Sequence, residues 1–258
     1  MKKTCALILF IVLFARVAVF AQVDTVSNLS NTDKLYGLSK FWSEAKYNFA
    51  FFDHAKINWD STYQAYIPQV LATKNTWEYY KVMKRFCALL KDGHTDVYEP
   101  GSLYKTSRYK YLVVENFDHH FYITNVPVQV KDEVPMGSEV MSVDGRDIQE
   151  YVKNELMPYI SASAPQQLWN DAASAMFYGT DTAKVTHLTL KTPKGKFIKY
   201  DYQFHTYGAK WERPRPAYQR FEFKKMDDIG YVKINTFEDE KVIGDFKAIL
   251  PDLYNCKV

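Results

Sequence analysis

The sequence predicts an α+β architecture assembled from several domains, and three observations carry that expectation. Between residues 33 and 100 apolar side chains recur at helical spacing. Between 104 and 212 short alternating runs are separated by turn residues. From 221 onward a strand pattern is followed by an amphipathic helix.

Residues 1–21 have the layout of an export signal. Lys2 and Lys3 form a positive start, Ala6 to Phe14 is an almost unbroken apolar run, and Val19-Phe20-Ala21 places small residues ahead of a cleavage point before Gln22. Arg16 interrupts the stretch, which leaves it shorter than the ~20 residues a spanning helix needs. Cys5 precedes the apolar run and is not positioned for lipid attachment at the cleavage site. The expected product is exported, periplasmic or secreted, with no stable membrane anchor after signal cleavage. A polar leader over 22–32 follows.

Removing the signal changes the charge. Lys2, Lys3 and Arg16 equal the whole formal excess of +3, so the remainder is neutral (+3 − 3 = 0). Nothing in that balance favours nucleic acid as a partner, which would need a basic stripe. Two cysteines remain, Cys87 and Cys256, too few for a disulfide framework. Cys87 falls on an apolar helical face and reads as a small buried hydrophobe.

The helical module, 33–100, is expected to start at Asp33 as N-cap, with Leu35, Leu38, Phe41, Trp42 and Ala45 on one face. A second helix is predicted over about Asp60 to Leu71, where Pro68 would kink or split it. The third is the clearest: Thr76 as cap, with Tyr79, Val82, Met83, Phe86, Leu89 and Leu90 as the buried stripe. Lys91 suits a helix C-terminus, and Gly93 is the natural residue for a left-handed stop.

In the β-rich domain, 104–212, strands are predicted at Tyr111–Val114, Phe121–Thr124, Val126–Val130 and Gly137–Val143. Asp144-Gly145 forms a turn, and a helix follows over Ile148–Leu156. A second helix is expected near Gln167–Phe177, then paired strands Val185–Leu190 and Phe197–Phe204 joined through Pro193-Lys194-Gly195. Arg213-Pro214-Arg215-Pro216 opens an extended linker, 213–220. Residues 221–258 then supply a strand at Ile229–Ile234, a helix over Lys241–Leu250 and the entry to a further strand at Asn255–Val258. Strand, helix, strand is how a parallel α/β layer begins.

The chemistry concentrates in Asp92-Gly93-His94-Thr95. A histidine just past a helix is well placed to serve a cleft as a proton acceptor; the alternative is that it caps the last helical carbonyls. No serine stands out as its nucleophile. Ser138 lacks the G-x-S-x-G elbow, and Ser161, Ser163 and Ser174 have no base nearby in sequence. His119-His120 reads as a surface turn rather than a metal site, and His54, His187 and His205 are scattered.

Three stretches, in this order, resemble the tail-specific or C-terminal-processing serine peptidases, peptidase family S41, in its tricorn-like branch. They are Phe86-Cys87-Ala88-Leu89-Leu90-Lys91-Asp92-Gly93-His94-Thr95; Gly137 to Ile148, similar to the core of a PDZ-like domain; and Ile229-Gly230-Tyr231-Val232-Lys233-Ile234-Asn235-Thr236-Phe237, similar to the first strand of the family's catalytic core. The resemblance implies a helical cap, a PDZ-like domain and the truncated start of an α/β peptidase core. It implies hydrolysis of peptide bonds in a peptide or protein substrate, with His94 as general base and no cofactor or metal. In the tricorn-like pattern a serine often precedes that histidine, whereas here it is Gly93.

The resemblance places the nucleophilic serine and a supporting glutamate further along the core, beyond Val258, so the chain as written is expected to be inactive. Two other readings follow from the same residues. One is a non-catalytic module that binds peptides or proteins by strand addition to its PDZ-like domain. The other is an accessory fragment that pairs with a complete peptidase through an unfinished sheet edge.

Overall fold

The computed structural model describes residues 28–100, 103, 112–177, 185–203, 210–214 and 217–257. The expected export signal, 1–21, and most of the expected polar leader lie outside them. Among the described residues no helix is long and apolar enough to cross a membrane. The chain falls into two compact units, Met1–Glu212 and Arg213–Val258.

The first unit opens with four helices: α1 (Asn31–Asn48), α2 (Phe52–Ala55), α3 (Trp59–Leu71) and α4 (Thr76–Ala88). The caps of α1 and α4 lie three residues and one residue before the predicted ones, and α3 starts one residue before its expected Asp60. Ser30, not Asp33, caps α1, its hydroxyl accepting from the Asp33 N–H at 3.1 Å. Asn58 caps α3 through the Ser61 N–H. Asn75 rather than Thr76 caps α4, accepting from the Glu78 N–H at 2.8 Å, while Glu78 reaches back to the Lys74 N–H. Pro68 neither splits nor ends α3, which runs on to Leu71. Sitting in the last turn, it removes a single intrahelical hydrogen bond.

The helices bury an aromatic core centred on Phe86, which is fully buried. The Trp59 ring stacks on it at 4.3 Å and 5°, with Tyr66 at 4.7 Å and Phe41 edge-on at 5.7 Å. Such offset and edge contacts add roughly 0.5–1.5 kcal/mol per pair beyond burial. Tyr79, Met83, Phe86 and Cys87 of α4 and Leu90 just after it are buried, while Val82 and Leu89 are partly so.

The rest of this unit is an antiparallel sheet of β1 (Val113–Phe117), β2 (His120–Asn125), β3 (Glu139–Val143), β5 (Val185–Lys191) and β6 (Phe197–Gln203), in that spatial order. The short β4 (Arg146–Asp147) pairs with β3. Asp118 and His119 turn β1 into β2, and Asp144-Gly145 turns β3 into β4. Both pairs lie at positive φ, the hand that matches strand twist. The segment after β4 is helical throughout but changes pitch: α5 (Ile148–Tyr151), a π-helical turn over Val152–Leu156, then a 3-10 turn over Met157–Tyr159. Helix α6 (Pro165–Ala175) packs on the sheet, and Ala172, Ala173, Phe121, Ile123 and Tyr202 share its core.

One predicted strand is absent. Val126–Val130 forms a turn held by Val130 N–H to Pro127 O and Val134 N–H to Val130 O, with Pro127 bridged to Trp211. Pro127 has no N–H to offer a ladder, so the apolar run does not extend as a strand.

The second unit also departs from expectation. Its first element is an unpredicted strand, β7 (Phe221–Met226), which forms an antiparallel hairpin with β8 (Ile229–Ile234) through Asp227 at φ 55°. Helix α7 (Lys241–Tyr254) follows, carrying Pro251 within it. The expected strand entry at Asn255–Val258 is a turn and bend over 255–257, with Val258 outside the described residues. Local pairing of β7 with β8 replaces the start of a parallel layer among the described residues.

Candidate functional site

Helix α4 ends at Ala88, and the chain unwinds through two tight hydrogen bonds, Leu90 N–H to Cys87 O (2.9 Å) and Lys91 N–H to Ala88 O (3.1 Å). The left-handed residue that stops the helix is Lys91, at φ 53°. Gly93 does not take that role. It is small for another reason: a Cβ there would sit 2.6 Å from Gln167 Nε2 and 2.8 Å from Oε1.

The Asp92–Thr95 loop is gripped from two sides. On the helix side, the Cys87 thiol donates to the Thr95 carbonyl at 3.3 Å. On the other, the segment ahead of α6 supplies two hydroxyls. Ser161 Oγ donates to the Asp92 carbonyl (2.8 Å) and accepts from the Asp92 N–H (3.3 Å); Ser163 Oγ accepts from the Gly93 N–H (2.8 Å). Asp92 Oδ2 accepts from Thr95 Oγ1 at 2.6 Å, closing the loop on itself. Lys81 lies over the Tyr159 ring at 4.8 Å, a second tie between α4 and the same segment.

His94 projects from this clamped loop. Its side chain is 97% exposed, whereas that of Asp92 is 16% exposed, and Nδ1 stands 4.0 Å from Asp92 Oδ1. The imidazole caps no helical carbonyl and takes no serine hydroxyl among the described residues. The arrangement ties down the loop backbone and leaves the imidazole exposed.

The serines fall into two groups. Ser138 is fully buried and donates to the Pro135 carbonyl at 2.6 Å, so its oxygen is committed. Ser161 and Ser163, separated from Asp92 and Gly93 by about seventy residues, are brought to the histidine loop, where their hydroxyls bind backbone. Their closeness was not visible in the sequence, since a Ser-Ala-Ser segment carries no signal of what it will touch. Cys87 is no substitute nucleophile: burial, reinforced by the Asp96 carboxylate, pushes its thiol up to about 12.

The remaining histidines serve local structure. His119 stacks on Trp169 at 4.2 Å, His120 pairs with Glu139 at 2.5 Å, His187 pairs with Asp201 across β5 and β6 at 2.8 Å, and His54 stacks on Phe51. His205 lies outside the described residues. No cluster of three or more metal-ligating side chains occurs among the described residues. Within the second unit a groove of about 570 Å³ runs between β7 and α7, lined by Tyr218, Phe221, Phe223 and Ile249, with Arg220 held by Asp245 at 2.8 Å.

No protein-family model matches the sequence, and no curated protein matches it. Solved structures do. The chain is similar to mature CPAF, a chlamydial serine protease of the tail-specific type, with TM-score 0.54 at 17% identity, and to mature CPAF complexed with lactacystin, with TM-score 0.53 at 16%. A serine-to-alanine variant of CPAF gives 0.50. These matches cover 70% of this chain but only about a third of the CPAF chain. At such identity the likeness is one of fold, a mix of helices and antiparallel sheet shared with CPAF.

Proposed function

We propose that this chain belongs to an exported serine peptidase of the S41 type, with His94 as its general base. The helices to residue 100 would act as a cap, the sheet domain as a PDZ-like module, and residues 221–258 as the first elements of a peptidase core. The observation that carries the reading is the His94 loop itself: its backbone is fixed from both sides while its imidazole stays open, on a fold similar to CPAF.

In the reaction, a serine supplied beyond the stretches matched here would attack the peptide carbonyl as His94 takes its hydroxyl proton. The same imidazole would then return that proton to the leaving amine. Turnover would need that serine and an oxyanion hole as well as His94. The test uses the protein from its native source with an unstructured protein as substrate. His94→Ala should lower kcat/KM by about 10²–10⁴-fold; unchanged cleavage would overturn the assignment.

A second reading, peptide binding without cleavage, draws on one feature. β6 is the terminal strand of the sheet order among the described residues, and an edge strand is what peptide augmentation uses. Binding of extended peptides that survives His94→Ala, in a protein that cleaves nothing, would favour it.

A further inference from the structure

We propose that Asp92 orients the His94 imidazole, and that Ser161 and Ser163 hold Asp92 where it can do so. The inference rests on His94 acting as a base. A neutral imidazole accepts a proton at one nitrogen only if the other carries the hydrogen, so something must fix the tautomer. Among the described residues, Asp92 is the one carboxylate within 4.0 Å of the ring, and it faces Nδ1.

The geometry separates a fixed partner from a free one. The Asp92 side chain is largely buried. Its Oδ2 is occupied by Thr95 Oγ1 at 2.6 Å, and Oδ1 has only a long contact from Ser163 Oγ at 3.4 Å. Oδ1 therefore keeps acceptor capacity on the side that faces His94. The ring is exposed, so its side-chain torsions are free to bring Nδ1 from 4.0 Å toward hydrogen-bond range of Oδ1. With Nδ1–H donating to Oδ1, the Nε2 lone pair is left to take a hydroxyl proton, and the imidazolium so formed sits beside a carboxylate.

Ser161 and Ser163 act through Asp92, which makes them positioning residues. One hydroxyl binds both the N–H and the carbonyl of Asp92, and the other binds the next N–H, so the loop cannot pivot without breaking three hydrogen bonds. Gln167 fills the space over Gly93, which fixes the loop's approach. The segment packing on the loop from that side brings only the neutral groups Ser161, Ser163 and Gln167; Lys91 and Asp96 are the other charges of the loop itself.

The test is the ring tautomer, read from long-range proton–nitrogen NMR of the full chain at a pH where His94 is neutral. The wild-type ring should be mainly Nδ1–H. Asp92→Ala should reverse the majority to Nε2–H, Ser163→Ala should move it part of the way, and Ser163→Thr, which keeps the hydroxyl, should restore it. A wild-type ring that is mainly Nε2–H, or a tautomer ratio unmoved by Asp92→Ala and Ser163→Ala, overturns the proposal. If Asp92→Ala does not fold, the Ser163 pair alone decides. No cleavage is measured, so an unmoved tautomer beside a His94-dependent peptidase would sink this inference and leave the peptidase reading intact.

Discussion

Replacing Phe86 with alanine is the sharpest test of how the helical module is built. Phe86 is fully buried, and three rings depend on it: Trp59 stacked at 4.3 Å, Tyr66 at 4.7 Å and Phe41 at 5.7 Å. Deleting a buried phenylalanine to alanine costs about 3–5 kcal/mol through lost transfer energy and the cavity left behind. The three ring contacts, at roughly 0.5–1.5 kcal/mol each, put this site toward the upper end. Phe86→Leu keeps most of the apolar volume and should cost about 1–2 kcal/mol, a volume-conserving swap that loses the ring contacts. Urea unfolding followed by tryptophan fluorescence reads the module directly, since Trp42 and Trp59 both pack in it. With a urea slope of about 2 kcal/mol per molar, the alanine midpoint should fall by about 2 M. A loss under about 1 kcal/mol, or equal losses for alanine and leucine, would refute the placement of Phe86 at the centre of this core.

The other expectations concern the loop and its support. Gly93→Ala pushes a methyl against the Gln167 amide, the far end of a flexible side chain, so it should cost only about 1 kcal/mol. Gln167→Ala in the same chain should abolish that cost; a double-mutant cycle with no coupling would refute the close approach. Burial holds the Cys87 thiol up to about 12, against an ordinary value of 9.0. The folded state therefore binds that proton more tightly. Its contribution to stability is complete below pH 9 and is lost as pH rises toward 12, at about 1.4 kcal/mol per pH unit. Cys87→Ala should show a shallower alkaline loss in urea unfolding at pH 8 against pH 10.5. A wild type and variant with parallel losses would contradict the buried thiol.

The local half of the fold was legible because periodicity reports it. The α4 stripe, the Asp144-Gly145 turn and the β5–β6 pairing each follow from a few neighbouring residues. The cap of α4 also has a sequence signal: Asn75 and Glu78 stand three apart, which favours Asn75 over Thr76. β7 also had a signal, since Phe221 and Phe223 alternate with Glu222 and Lys224 ahead of Asp227-Asp228. Strand β8 has β7 beside it, so slow amide exchange there would follow from the hairpin. Val126–Val130 shows the opposite failure, an apolar run whose Pro127 denies it a ladder. The site was legible only as His94. Its clamp joins Asp92 and Gly93 to Ser161 and Ser163 across about seventy residues, and such contacts leave no trace in spacing.

The most direct test of the central claim is the intact mass of the protein isolated from its native source. The proposed peptidase reading predicts a mass well above that of Gln22–Val258, since it requires a nucleophilic serine in addition to His94. A mass equal to Gln22–Val258 would contradict the peptidase reading and leave peptide binding as the function to pursue.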